Sequence, residues 1–243
     1  MNKINEISGG ADAAAKRKQA EFISNIANRL GRKEPLDAPP EHPFRGAPDF
    51  WKAYRLTKEQ SIELFMANWT LAGGEARRFA SWSEAAEDLI QLVLRMEARY
   101  LLRWNQPELK AMKLEERLPD TVITVWTSAE ENDLLETAAG TDIGICLADY
   151  AIAHTGSIVL MSGPDKGRSV SLLPTVFVAV IRAEDVYISL GEVLRELRSS
   201  DPGAHALPAG VHFISGPSRS ADIENDLTIG VHGPGIVHAI IVG

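Results

Sequence analysis

Six consecutive residues, 176–181, are apolar in the stretch VFVAVI. A half-exposed strand would alternate apolar and polar residues, so an unbroken run indicates a strand covered on both faces. Similar runs, IGICLA at 143–148, SIVLM at 157–161 and VHAIIV at 237–242, alternate along the chain with helical patterns. Because parallel strands between helix layers have this composition, the sequence predicts an α/β fold, a layered sheet with helices on both faces.

The N-terminal region predicts a separate helical arm. Apolar residues at positions 23, 26, 27 and 30 share one helix face, and Gly31 follows as a stop. Five prolines between Pro35 and Pro48 then remove backbone donors, which indicates an extended linker. We therefore divide the chain into residues 1–50, the helix and linker, and residues 51–243, the α/β domain. We expect the arm to pack on the body or on a neighbouring subunit rather than to perform chemistry.

Charge and cysteine content exclude several classes of function. The formal net charge of -8 argues against a nonspecific grip on nucleic acid or anionic lipid. The single cysteine, Cys146, cannot form an internal disulfide, and an iron–sulfur cluster needs about four thiolates. The first residues lack the apolar core of a signal peptide, and no window approaches the about 20 apolar residues of a membrane span, so we expect a cytoplasmic protein.

Common metal and nucleotide motifs are absent from the sequence. It contains no HExxH, CxxC, GxGxxG or GxxxxGK[ST], and GPDKGRS at 163–169 resembles a phosphate loop only superficially. His232 and His238 flank a Gly-Pro-Gly turn, which is not a recognised spacing for metal ligands. The sequence therefore predicts no metal site and no cofactor bound by this chain.

A first candidate segment is the predicted hairpin whose turn is HTGS, residues 154–157, with the loop that follows it. That loop carries Lys166 and Arg168, and the hydroxyls of Ser169 and Ser171 come next. These groups supply the cations and donors that hold a carboxylate or phosphate. A plain hairpin and a solvated loop explain the same residues equally well.

A second candidate segment is SGPSRSADIENDLTIGVHGPG, residues 215–235. We expect a strand before it, a helix that begins near Ser218 or Ser220 and a stop at Gly230. A strand that runs into a helix N-terminus directs free amides at an anion. In the alternative, Asp222 and Glu224 satisfy the helix dipole and a serine caps the helix, but this leaves Arg219 and the following GVHGPG without a role.

Together, AIAHTGSIVL, DKGRSVSLLPTVFVAVI and GPSRSADIENDLTIGVHGPGIVHAIIVG resemble the lactate utilization protein C family, part of the LUD-domain group. The combination of GPSRSADIE with GVHGP is specific, and the match is sharpest over residues 144–243. The resemblance implies a fold similar to the sugar-phosphate isomerase and CoA-transferase superfamily. It also implies a part in oxidising L-lactate to pyruvate beside iron–sulfur partner proteins, which would carry the clusters.

One residue departs from the family pattern, because members commonly carry an acidic residue where this chain has His154. If that acid took part in chemistry, an imidazole would change the pH dependence of the step or abolish it. The resemblance assigns no catalytic residue, and the candidates are Asp222, Glu224 and His154. The predicted ligand-binding residues are Thr155, Gly156, Ser157, Lys166, Arg168, Ser215, Gly216, Ser218, Arg219 and His232.

The leading hypothesis is a subunit without a cluster in a lactate-oxidising system, in which Arg168 and Arg219 orient a carboxylate in a pocket at the strand ends. A free-standing isomerase or acyl-transfer enzyme that uses Asp222 or Glu224 is the second hypothesis. A structural or regulatory adaptor, whose arm wraps a partner, is the third.

Overall fold

The structure is a computed structural model that describes residues 3–36, 38, 55–127, 134–199, 208–222 and 225–243. Its internal contacts divide the chain into two units, Met1–Ala53 and Tyr54–Gly243. Most of the predicted proline linker, including Pro39, Pro40, Pro43 and Pro48, lies outside the described residues.

In the described part of the first unit, residues Lys3–Arg29 form a long helix, α1. It ends before Gly31, whose φ of 71° is left-handed and suits glycine, as the sequence predicts. On the predicted apolar face, Ala27 is buried, whereas Ile23, Ile26 and Leu30 are exposed.

The second unit is built on a six-stranded sheet in which every neighbouring pair is parallel. The strands are β1 (Glu75–Phe79), β2 (Tyr100–Trp104), β3 (Val122–Trp126), β4 (Ile143–Leu147), β7 (Val176–Arg182) and β12 (Ile236–Val242). Their order in the sheet is β1-β12-β7-β4-β2-β3. Three of the four apolar runs form β4, β7 and β12 in its middle, and every residue of β4 is buried. The prediction of a layered α/β fold is confirmed.

The strand order contains a reversal between β2 and β4. The connection after β2 leads outward to β3, whereas the connection after β4 leads the other way to β7. Because parallel crossovers are right-handed, connections that run in opposite directions place their helices on opposite faces of the sheet. Adjacent carboxyl ends at such a reversal enclose a crevice, where doubly wound folds bind their ligands.

Helices α2 (Lys58–Leu71) and α3 (Trp82–Arg95) flank β1. Thr57 and Gln60 form the capping box that starts α2, and the hydroxyl of Ser81 accepts a hydrogen bond from the Glu84 amide at the start of α3. The short helices α4 (Pro107–Ala111), α5 (Leu114–Arg117), α6 (Leu134–Ala139) and α7 (Ser169–Leu172) lie in the connections that follow.

A smaller sheet is inserted after β4. It contains β5 (Tyr150–Ile152), β6 (Ser157–Met161), β8 (Val186–Tyr187) and β9 (Val211–Ile214), in the order β8-β5-β6-β9. Strands β5 and β6 form the predicted hairpin, and the 3-10 turn Ala153–Thr155 connects them. Helix α8 (Leu190–Ser199) packs on β5 and β8.

The helix predicted within residues 218–230 is wrong. This segment contains β10 (Arg219–Ser220) and β11 (Thr228–Ile229), paired as antiparallel strands. The Ser220 hydroxyl accepts a hydrogen bond from the Asp222 amide at 3.3 Å, a local bond that competes with helix formation. Asn225 has a left-handed φ of 60°, which also interrupts a helix. The helix N-terminus that was expected to direct free amides at an anion is therefore not formed in the described part of this segment.

None of the helices in the described ranges combines the length and the apolar character that crossing a membrane requires.

Candidate functional site

A crevice of about 500 Å³ lies at the carboxyl ends of β2, β4 and β7, where the strand order reverses. We call it the switch-point crevice. Its walls come from the loop after β2, the last residue of β4, the last residue of β7 and the loop after β6. The lining residues are Asn105, Gln106, Pro107, Glu108, Leu147, Gly163, Pro164, Asp165, Lys166 and Arg182.

The side chain of Gln106 joins the ends of β2 and β4. Its Oε1 accepts a hydrogen bond from the Leu147 amide at 3.1 Å, and its Nε2 lies 3.5 Å from the Leu147 carbonyl oxygen. The side-chain amide of Gln106 therefore pairs with both backbone groups of Leu147, as a residue of a neighbouring strand would. Pro107 follows directly at the first turn of α4, where its missing N–H costs no hydrogen bond.

The loop at residues 162–168 covers one side of the crevice and is held by two tryptophans. Nε1 of Trp104 donates to the Gly167 carbonyl at 2.9 Å. A Cβ at position 167 would lie 1.9 Å from Cε2 of Trp126, so only glycine fits there. The Asn105 amide donates to the Asp165 carbonyl at 3.3 Å and completes the attachment.

Both cations of the crevice are paired with carboxylates. Nζ of Lys166 lies 2.5 Å from Oδ1 of Asp149 and 5.5 Å from the ring centroid of Trp104. Arg182 lies 2.6 Å from Glu108 and 2.6 Å from Asp185. A ligand carboxylate at this position would have to compete with a side-chain carboxylate.

The structure brings five of the predicted ligand-binding residues together, away from that crevice. The hydroxyl of Ser157 lies 2.7 Å from Oγ1 of Thr155 and 2.6 Å from Oγ of Ser215. Gly156 and Gly216 lie against the last turn of α2, where an added Cβ would be 2.5 Å from the Trp69 nitrogen and 2.7 Å from the Ala72 oxygen respectively. This hydroxyl cluster therefore joins the two candidate segments through the end of α2.

The rest of the glycine-rich segment lies at the amino ends of the strands. The Ser218 amide donates to the Pro234 carbonyl at 2.9 Å, and the Gly235 amide donates to the Thr175 carbonyl at 3.1 Å, just before β7. A Cβ at Gly73, which precedes β1, would lie 3.1 Å from Nη2 of Arg219. His232 is exposed in the same region. Lys166, at the carboxyl ends, is not part of this group, so the ten predicted residues do not form one pocket.

The candidate catalytic residues are placed separately. His154 is exposed in the 3-10 turn, and its carbonyl accepts a hydrogen bond from Asn68 at 3.2 Å. Asp222 is exposed in the turn after β10, and Glu224 lies outside the described residues. Ser171, expected to face an anion, is buried and donates to the Arg168 carbonyl at 3.0 Å.

The sequence reasoning missed the residues that enclose the switch-point crevice. Asn105, Gln106 and Pro107 follow the apolar run YLLRW, and Asp149 follows IGICLA. Polar residues directly after buried strands are the signal that could have found them, because the carboxyl ends of parallel strands meet at one edge. Nothing in the sequence, however, places β2 beside β4.

Within the described residues, no three histidine, cysteine, aspartate or glutamate side chains are arranged to hold a metal ion. Cys146 is fully buried in β4, and this burial raises the pKa of its thiol well above the usual value.

The family model of the LUD domain matches residues 62–242, more than half of the chain. The chain therefore belongs to the LUD domain family. A solved structure of a DUF162 family protein from Deinococcus radiodurans superposes with a TM-score of 0.53 at 17% identity, covering 78% of this chain and 100% of that chain. At that identity the likeness supports the fold alone.

Curated relatives are similar over most of the chain. "Lactate utilization protein C" of Halalkalibacterium halodurans is 34% identical over 219 residues, which are 90% of this chain and 94% of the relative. The protein of the same name from Exiguobacterium sp. is 31% identical over 224 residues, 91% of this chain and 94% of the relative.

Proposed function

We propose that this protein is a component of an L-lactate utilisation system that oxidises L-lactate to pyruvate together with iron–sulfur partner proteins. The observation that carries the proposal is the similarity to relatives named lactate utilization protein C, which extends over 90% of this chain and 94% of one relative. Since the match covers nearly the full length of both proteins, it is not limited to a shared module.

The clusters are assigned to partners because of the chemistry of this chain. Cys146 is its one cysteine, and a cluster needs about four thiolates. Its side chain is fully buried between neighbouring strands, and burial favours the protonated thiol over the thiolate that binds iron. Electron transfer would therefore take place on the partner proteins.

The switch-point crevice is the proposed site for a small organic ligand of this system. It lies where doubly wound folds bind ligands, and its volume of about 500 Å³ exceeds what a three-carbon acid fills. In this proposal Gln106 and the neighbouring backbone groups contact the ligand, while the Asp149–Lys166 pair fixes the wall.

The first experiment is to purify the tagged full-length chain from its host grown on L-lactate, with a glucose-grown culture as control. We expect co-purified partners that bring iron and pyruvate-forming activity, both of which disappear after a wash that leaves the tagged chain alone. Turnover of a sugar phosphate or thioester by the isolated chain would instead favour the free-standing enzyme.

Growth of a deletion strain tests the system and the crevice separately. Deletion of the gene should abolish growth on L-lactate, and the wild-type gene should restore it. Gln106→Ala should fail to restore growth although the protein folds, whereas Gln91→Ala, on the exposed side of α3, should restore it fully. Undiminished growth of the deletion strain would refute the role in lactate use. Full rescue by Gln106→Ala would refute only the proposal that the crevice binds the ligand, and the role in lactate use would be retained.

A further inference from the structure

Strand β3 forms one edge of the six-stranded sheet, and no described strand pairs with its other side. The Val122 amide donates to the Arg99 carbonyl at 2.8 Å, so it points toward the β2 side. Because backbone groups alternate between the two sides of a strand, the N–H and C=O groups of Ile123 and Val125 point away from β2. None of the backbone hydrogen bonds among the described residues uses these outward groups.

The sequence of β3 lacks the features that usually protect a sheet edge. Its residues, VITVW, include no charged residue, proline or glycine. By contrast, β1 at the opposite edge contains Glu75, Arg77 and Arg78. Since charged side chains and prolines are what keep natural edge strands from pairing, β3 is suited to pair with a further strand, whereas β1 is not.

We propose that β3 pairs antiparallel with β3 of a second copy of this chain, about a twofold axis at Thr124. In this register Ile123 is opposite Val125 of the second copy, and their outward N–H and C=O groups form a hydrogen-bonded pair. Thr124 is opposite its own counterpart, and Val122 is opposite Trp126. Thr–Thr pairs and pairs of an aromatic with a β-branched residue are both favourable across strands.

The identity of the partner follows from this self-complementarity. The same short strand supplies both members of each favourable pair, and its lack of charge means that its residues bring no like charges together across the twofold axis. An interface in which each copy uses the same surface closes as a dimer. A second copy therefore fits this edge without any change in its sequence.

An apolar groove beside the edge enlarges the surface that a second copy would cover. The groove, of about 580 Å³, lies between the first residues of β2 and β3 and helix α6. Tyr100 and Val122 line it and are 52% and 57% exposed. Because Val122 would be opposite Trp126 of the second copy, the pairing would cover apolar surface that is exposed in the single chain.

The proposed dimer leaves the switch-point crevices apart. Since the paired strands are antiparallel, the carboxyl ends of the two sheets point in opposite directions, and the two crevices would open at opposite ends of the combined sheet. Trp126, which packs against Gly167 in the loop at 162–168, connects the interface with the wall of the crevice. The inference concerns assembly and does not depend on the role in lactate use.

Disulfide cross-linking of full-length variants tests the register. Thr124→Cys should form an intermolecular disulfide under mild oxidation, because directly opposite residues of a non-hydrogen-bonded pair have Cα atoms about 4.5 Å apart. Val122→Cys is the matched control, since its counterpart would be about 14 Å away along the strands. The native Cys146 is fully buried and should not react. On non-reducing gels, we expect Thr124→Cys to cross-link at least about tenfold faster than Val122→Cys, and equal rates would overturn the proposal.

Charged variants test the same contact without a covalent bond. In sedimentation experiments the wild type should have twice the chain mass of 26.5 kDa. Thr124→Lys and Thr124→Glu should each raise the dimer dissociation constant at least about tenfold, because like charges would face each other. An equimolar mixture of the two should restore the dimer, and Gln91→Lys, at an exposed position of α3, should behave as wild type.

Three results would each overturn the proposal. The first is a wild type that remains monomeric at about 100 μM. The second is a dimer that both Thr124 variants retain, which would place the interface elsewhere. The third is a mixture that stays monomeric although circular dichroism shows that both variants are folded.

Discussion

The ion pair between Asp149 and Lys166 should contribute measurably to stability, because most of it is removed from water. The side chain of Asp149 is 10% exposed and that of Lys166 is 28% exposed, with Nζ 2.5 Å from Oδ1. Exposed pairs contribute up to about 1 kcal/mol, whereas removal of one partner from a fully buried pair costs about 3–5 kcal/mol. Given the intermediate exposure, we expect a coupling energy of about 2 kcal/mol.

The measurement is a double-mutant cycle with Asp149→Asn, Lys166→Met and the double variant, by urea unfolding of the full-length protein. Asparagine retains an oxygen that can accept the Met161 amide, which donates to Oδ2 of Asp149 at 2.8 Å in the native protein. Methionine retains much of the apolar stem that lies near Trp104. Each single variant should therefore remove charge with little other change, and the double variant should be more stable than the sum of the two losses predicts.

The surface pair Lys113–Glu116 provides the matched control cycle. Its side chains are 65% and 68% exposed at an N–O distance of 3.6 Å, so its coupling should stay below about 0.5 kcal/mol and decrease further in salt. If the Asp149–Lys166 cycle gives an equally small value, water screens the pair and the reasoning from burial is refuted.

Two further predictions concern the tightly packed turn at Gly156 and the buried side chain of His238. Gly156→Ala should lower the free energy of unfolding by at least about 2 kcal/mol, because φ is +56° and the new Cβ would lie 2.5 Å from the Trp69 nitrogen. Gly140→Ala, with its nearest atoms at 3.8 Å, should change the free energy by less than about 0.5 kcal/mol in urea unfolding, and equal effects would contradict this explanation. Burial lowers the pKa of His238, whose buried Nε2 has no hydrogen-bond partner among the residues that the structure describes, so the unfolded state binds protons first as the pH falls. Stability should therefore be complete above about pH 6.5 and decrease below it toward the folded-state pKa, and a His238→Gln variant with an unchanged pH profile would refute this source of the dependence.

The strands of the fold could be predicted from the sequence, but their arrangement could not. Runs such as 143–147 and 176–182 are apolar because both of their faces are covered, and this burial is recorded in the residues themselves. The position of β2 beside β4 depends on contacts between segments about 40 residues apart, which leave no local pattern. The reversal of strand order, and with it the crevice, therefore became visible only in three dimensions.

The predictions for the candidate site also succeed where a feature is local in sequence and fail where it depends on distant residues. The hairpin turn at 153–157 was predictable because Thr-Gly-Ser is local turn chemistry, and the structure has Gly156 in the left-handed region there. The neutralisation of Lys166 was not predictable, because Asp149 is 17 residues away and belongs to a different strand end. The prediction of a helix at 218–230 is wrong because it relies on capping residues and carboxylates, whereas the segment has few apolar residues to bury.

The position of Arg219 changes what the glycine-rich segment is expected to do. A guanidinium beside Gly73 lies at the C-terminal end of α2, where unpaired carbonyls carry partial negative charge and favour a cation. Gly216 approaches the Ala72 carbonyl at the same end, so an anion placed there would face carbonyl oxygens rather than amides. The guanidinium of Arg219 therefore suits this helix end.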